Sequence, residues 1–515
     1  MVIVNCTTND ELTQNTGAAH LAPNWATQEF SAAQVWDRRC LKSLSRMADR
    51  LARSSGNSFS QACGHSLRQS AHRIFAHPTT SVMGMIAGHG EQTRRRCAEE
   101  TAAGNRILVV QDTTDFDYSK HFAAEGLGPI GARNKRGLLS HCGLALRGDG
   151  LPLGVVHLDM WARDDAEHGK KQQRRQKPTE QKESYKWIEG LHGIEAAFDA
   201  DQPVLVIADR EADLYDYLAE PRHPKTHLLV RAHQPRQVLI TSSEIGVTTS
   251  SEADQRTSLF DLVASSTVKG KYQLSIPRRP AVVGHAAQEG RLATLEVRFT
   301  EVELPAPASA TLHAKTTTRL WVIQAREAEA QAKTQAETQA EPEAQGADEE
   351  TAAATGIQRV CWTLLCTEPI LNADAAWQMV QFYALRWQVE RLHFTLKSGL
   401  RAEKLQFDDG ASLMKALALL YVVAWRLLWM LHISRQEPQT PSAAILEPAA
   451  LAVLNAVSRR TLKTASEALL EIGKLGGHEH YRKGPPPGIK SLWLGLRRLD
   501  DIVIGFQLGA NQVKN

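Results

Sequence analysis

Apolar and polar positions follow a helical period, then a strand-like one, then a helical one again along this chain. From Asp37, read as an N-cap, to Gly56 the run DRRCLKSLSRMADRLARSSG predicts a helix. Leu41, Leu44, Ala48 and Leu51 gather on one side, while Arg38, Arg39, Lys42, Arg46, Arg50 and Arg53 fall within about 120° of one another. One face packs and the other is cationic, with Asp49 inside the cationic arc. A second helical segment, Cys63–Phe75, carries His65, Arg68, His72 and Arg73, and His77-Pro78 closes it.

The period then becomes strand-like. Arg106–Gln111 is a short apolar run that delivers Asp112 at its end. Leu138–Leu146 and Leu153–Trp161 flank a turn containing Asp149-Gly150, which predicts a three-strand meander. A helix is expected over Glu183–Phe198, and Val204–Ala208 reads as a buried strand ending on Asp209. Tyr272–Pro277, Ala293–Phe299 and Arg319–Gln324 have strand composition. The helical period returns over Tyr383–Lys397 and from Leu413 onward. Leu413–Leu431 is long enough to span a bilayer but contains Lys415 and Arg426, so a buried core helix is expected.

Composition adds a partner. With 515 residues and 43% apolar content, two or three domains of a soluble globular protein are expected. Net charge is +3, but the Ala/Gln/Glu-rich run Ala325–Thr355 holds eight acids and two bases, leaving +9 on the rest. That excess argues for a polyanion, and the run itself for a solvated loop or fluctuating helix. Over Ser31–Arg106, eleven of twelve Lys/Arg are arginine, against five acids, a bias suited to phosphate and base-edge contacts. The seven cysteines form no CxxC pair and no zinc spacing, and the amino terminus lacks a signal-peptide pattern; a reducing cytoplasm is expected.

Candidate chemistry lies in three places. Treated as one helix, Tyr383–Lys397 brings Tyr383, Arg386, Glu390 and Lys397 into an arc of roughly 60°. An acid among two cations and a phenol suits a metal ion and nucleic-acid phosphates. Asp112 and Asp209 each follow an apolar strand, and strand ends are where ligands usually bind. Two such aspartates and a helix-borne glutamate can hold two divalent cations about 3.5–4 Å apart. Their hard oxygen donors favour Mg²⁺, with Mn²⁺ as a substitute.

These residues carry a resemblance. Asp112 in VVQDTTDFDY, Asp209 in VIADREADLYDYL and Glu390 in YALRWQVERLHFTLKSG resemble the three motifs of bacterial DDE transposases of the insertion-sequence-four family. Its members include the transposase of a composite bacterial transposon. The signature Tyr, two residues, Arg, three residues, Glu, six residues, Lys is matched by Tyr383, Arg386, Glu390 and Lys397, and the resemblance covers roughly residues 25–515. It implies an α/β fold: an RNase H-like catalytic core with an inserted β-rich domain, between helical N-terminal DNA-binding and helical C-terminal regions. On this chain that division is 1–105, 106–412 with the insertion at about 235–360, and 413–515. Asp112 and Asp209 are 97 residues apart and Asp209 and Glu390 181, room enough for an insertion in the second gap. The resemblance further implies metal-dependent cleavage at inverted repeats, strand transfer by the freed 3′ hydroxyl through DNA hairpins, and a homodimer assembled on double-stranded DNA. Tyr383, Arg386 and Lys397 would grip phosphates, Arg231 would join them, and Trp362 or Trp387 would stack on a displaced base. The basic helix and Arg73 would bind the ends. The residues leave two other readings open: a purely hydrolytic nuclease on the same fold, and a catalytically inactive DNA-binding repressor.

Overall fold

The computed structural model describes residues 24–512 except 122, 132–133, 168–176, 241–255, 277–288, 309, 311, 314–316, 329–358 and 482–483. Most of the acidic run therefore lies outside the described residues. This is a mixed α/β protein with a large mixed sheet, preceded by N-terminal helices and followed by C-terminal ones. By contact the chain forms two compact units, one containing residues 177–188 and 205–387, the other 15–176, 189–204 and 388–515. Both helical regions thus group with the first strands, a division different from the three consecutive parts read along the chain.

In the second unit the N-terminal helices include Trp25–Glu29, Arg39–Arg53, His65–Ala76 and Ala87–Ala102. They lead into β1 (Ile107–Asp117), β2 (Gly128–Pro129), β3 (Arg136–Arg147) and β4 (Pro152–Trp161). β1 and β3 pair antiparallel from Ile107 opposite Arg147 to Asp117 opposite Gly137, and β4 pairs with β3, so the expected meander forms. β3 is buried at ten consecutive positions, Gly137 to Leu146, as a strand covered on both faces must be. Gly154 marks where helix Ala87–Ala102 meets β4: its φ is +152°, and a Cβ there would stand 1.9 Å from Thr93 Oγ1. Helix Gly410–Gln436 runs through this unit. Although long and apolar enough to cross a membrane, its apolar window is wholly buried. Asp409 caps it by accepting from Ser412 N at 2.7 Å, a contact of about 1 kcal/mol. Its two buried cations find carbonyls: Lys415 Nζ donates to His77 O at 2.8 Å and Arg426 Nη2 to Ile445 O at 3.2 Å.

The first unit holds β5 (Val204–Ala208) from its second residue on, β6 (Thr226–Arg231), β7 (Gln237–Ile240), β8 (Arg256–Ser258), β9 (Gly270–Ile276), β10 (Arg291–Pro305), β11 (Thr317–Glu327) and β12 (Cys361–Cys366). Their order is β5-β6-β12-β11-β10-β7-β8, with β9 also on β10. The three strands expected in the insertion are therefore longer than their composition marked, and they continue the sheet of β6 and β12. Ala325–Glu327, at the start of the acidic run, are part of β11, a correction to the loop expected there. β10 alternates buried and half-exposed residues along most of its length, the pattern of a sheet with one dry face.

Three further corrections concern elements. β1 does not stop at Gln111. Its ladder to β3 continues through polar residues to Asp117, so Asp112 is mid-strand. The helix expected over Glu183–Phe198 begins as a 3₁₀ turn, Glu183–Tyr185, and is α-helical over Lys186–Glu195. The single helix expected over Tyr383–Lys397 is three pieces: the end of Ala373–Ala384, then Trp387–Phe394, then a π-helical turn, Thr395–Gly399. At the break, Leu385 N bonds to Phe382 O and Arg386 N to Tyr383 O, the tighter three-residue spacing.

Candidate active site

The break separates the signature. Tyr383 and Arg386 belong to the first unit with Asp209, Arg231 and Trp362; Glu390 and Lys397 belong to the second with Asp112. The expected arc assumes one regular helix, whereas the backbone from Tyr383 to Gly399 includes a 3₁₀ corner and a π turn.

In the second unit, Asp112 is half-buried opposite Cys142 on β3. Its Oδ1 accepts from Thr113 N at 2.9 Å, and its Oδ2 stands 3.9 Å from His393 Nδ1. His393 is almost buried, with Nε2 3.5 Å from Cys142 Sγ. Below lie Ser140 Oγ and Tyr421 Oη, 2.9 Å apart and fully buried. Burial first, then the Asp112 charge, pushes the Cys142 thiol far up, so it is an inert neutral neighbour. Burial likewise holds the Tyr421 phenol well above its ordinary range. Asp112 thus rests on a neutral, apolar and hydroxyl-lined floor with an imidazole at its side.

Helix Trp387–Phe394 carries both His393 and, one turn earlier, Glu390, whose side chain is exposed. In the π turn that follows, Lys397 Nζ lies 3.1 Å from Asp115 Oδ1 on β1. Single π turns recur at functional sites because they shift side-chain phase without ending the helix. His393 and Asp115 were not singled out from the sequence. The available signal was the i,i+3 spacing of His393 from Glu390.

In the first unit, β5 ends on Asp209 as expected, and its Oδ1 accepts from Glu211 N at 2.8 Å to cap the turn Arg210–Ala212. Tyr383 is buried, not a free phenol. Burial raises its pKa, Arg386 and Arg231 oppose the rise, Asp209 adds to it, and the Arg231 guanidinium donates to its hydroxyl. Trp362 on β12 meets the Tyr383 ring edge-on, 5.7 Å between centroids. Asp209, Arg231, Trp362, Tyr383 and Arg386 therefore form one neighbourhood drawn from two strands, a strand end and a helix end. Asp213, four residues after Asp209, is a brace: its Oδ2 accepts from His233 N at 2.6 Å and Gln234 N at 2.7 Å, and it pairs with Arg236.

No protein-family model matches the chain.

The basic helix keeps part of its expected face. Arg38, Arg39, Lys42 and Arg46 are exposed, as is Arg73 on helix His65–Ala76. Arg50 instead reaches Asp500 on the C-terminal helix Ile489–Gln512 at 3.0 Å, and Arg53 pairs with Asp49 at 2.9 Å and with Glu447. Their charges are directed inward by tertiary contacts absent from the helical wheel. The acids suit a hard cation by donor type, all being carboxylates with partial exposure. Among the described residues, however, no three His, Cys, Asp or Glu side chains converge closely enough to hold an ion. No coordination geometry follows.

Proposed function

We propose that this protein is a bacterial DNA transposase of the DDE type, with an RNase H-like core, that cuts at the inverted repeats of an insertion sequence and joins the freed 3′ ends to target DNA. The observation that carries this reading is the coupling of Asp112 to the signature helix: the His393 ring lies 3.9 Å from the Asp112 carboxylate and one turn from exposed Glu390. Two acids remote in sequence are thereby linked by one residue, in a motif order that resembles the family's.

In this reading Asp112, Asp209 and Glu390 would hold Mg²⁺ or Mn²⁺, which would supply activation of the attacking oxygen and stabilisation of the leaving one. The chain's own residues do the positioning. Lys397 and Asp115 are each partly exposed, so their ion pair is worth little, and a phosphate can replace the carboxylate at Lys397. Tyr383 accepts from the Arg231 guanidinium, and in this reading Arg231 and Arg386 bind phosphate oxygens. Trp362, half-buried against Tyr383, offers a ring for a displaced base. Exposed Arg38, Arg39, Lys42, Arg46 and Arg73 bind the end duplex, and a homodimer assembles on the DNA in the bacterial cytoplasm.

The test uses labelled duplexes of the inverted repeats that flank the reading frame, with wild type and Glu390→Gln. Cleavage at the repeat tip that needs Mg²⁺ and vanishes in Glu390→Gln, with transfer of the labelled 3′ end into a plasmid, is the expected result. Cutting without transfer would mark a hydrolytic nuclease, and tight binding without cutting by either protein a repressor.

A further inference from the structure

Trp36 stands in the bend just before helix Arg39–Arg53 with 43% of its surface in water. Its ring lies parallel to that of His77, 4.2 Å between centroids and 9° between planes. His77 ends helix His65–Ala76 and is itself held from two directions. Its Nδ1 accepts from Thr79 N at 3.4 Å and stands 2.9 Å from Thr79 Oγ1, and its carbonyl accepts from the buried Lys415 amine at 2.8 Å. An exposed aromatic on such a seat has given up much of its rotamer freedom before a partner arrives, the condition under which aromatic anchors bind well.

The surroundings select the partner. Arg38, Arg39 and Lys42 follow Trp36 and are exposed, and exposed Arg73 lies one turn before His77. The two helix ends meet here, since the Cys40 thiol feels Asp37, Arg73 and Arg39 together. The acid of the patch, Asp37, is bonded to Arg39 at 2.8 Å. A flat ring framed by guanidinium and ammonium groups complements a base between phosphates.

Resting on the transposase reading, we propose that Trp36, seated on His77, stacks on or wedges beside a base of the end-repeat DNA while Arg38, Lys42 and Arg73 hold the flanking phosphates. Trp36 then contributes base-dependent affinity that the charged residues do not supply.

The test is fluorescence anisotropy on a fluorescein-labelled inverted-repeat duplex and a scrambled duplex of equal length, over a salt series. The full-length wild type, Trp36→Ala, Trp36→Phe, His77→Ala and Arg73→Ala are compared, each first matched to wild type by far-UV circular dichroism. Trp36→Ala is expected to weaken repeat binding about tenfold with an unchanged salt slope, whereas Trp36→Phe retains most of it. The loss on the scrambled duplex is smaller, and His77→Ala falls between. Arg73→Ala instead lowers the salt slope by about 1 on both duplexes. Should Trp36→Ala bind like wild type, or lose equally on both duplexes, this inference is overturned while the transposase reading stands. Wild type that binds neither duplex would end both.

Discussion

Substituting Glu29 tests the energetics of the N-terminal helices. Glu29 is fully buried, accepts from Arg96 Nη1 at 2.7 Å and Nη2 at 3.4 Å, and is bonded to His89 Nδ1. Burial pushes its carboxyl up, but Arg96 and His89 outweigh burial and leave the pKa below the ordinary value. His89 Nε2 accepts from Val155 N at 2.9 Å, so the ring proton sits on Nδ1 and points at Glu29. Glu29→Gln therefore does two things. It strips Arg96, which also lies over the Trp425 ring at 4.4 Å, of its counter-charge. It also offers an amide to two donors, Arg96 and His89, although only its oxygen can accept. Breaking a buried pair from one side costs about 3–5 kcal/mol, whereas replacing both partners with apolar groups is often near neutral. Glu29→Gln should thus destabilise by about 3–5 kcal/mol, and Glu29→Gln combined with Arg96→Met by clearly less, in urea unfolding followed by circular dichroism. A single-variant loss below about 1 kcal/mol, or a double-variant loss larger than the single, would refute the buried-charge account.

Four other outcomes follow. His432 is buried on the core helix, and burial, aided by Arg435 and Arg391 against a smaller pull from Asp149, lowers its pKa from 6.5 to about 3. Its folded pKa lies below its unfolded one, so the stability it contributes is present above about pH 6.5 and is lost as pH falls. From pH 7 to 5 this group alone costs about 2 kcal/mol, and His432→Leu should flatten the pH profile by that amount in urea unfolding. Lys397→Ala should reduce end cleavage at least about tenfold while shifting stability by no more than about 1 kcal/mol, because its pair with Asp115 is solvent-screened. Arg46→Ala should weaken DNA binding and lower its salt slope by about 1 without altering stability; Arg50→Ala, which leaves nearly buried Asp500 without its guanidinium, should cost about 1–3 kcal/mol in thermal or urea unfolding.

Much of the architecture was legible because it rests on local period. β3, β4 and β5 fall where apolar runs are bounded by turn residues, and Gly410–Gln436 is buried because nearly every position in its middle is apolar. Asp209 ends its strand because its carboxylate caps the next turn, a preference carried by the residue itself. Candidate chemistry was legible as residue types in order. Its grouping was not.

What the chain's own pattern determined is which segments are strands, which helix is core and which surface is basic, since these follow from side-chain hydrophobicity over a few residues. Only tertiary structure decided the rest. β1 runs on past Asp112 because β3 supplies hydrogen-bond partners to polar residues that show no apolar alternation. Arg50 and Arg53 turn inward because Asp500 and Glu447 arrive from more than 390 residues away. The signature helix breaks at Leu385–Arg386 and widens at Thr395–Gly399 with no proline to announce the break. Such departures arise from partners distant in the chain, and a helical wheel contains none of them.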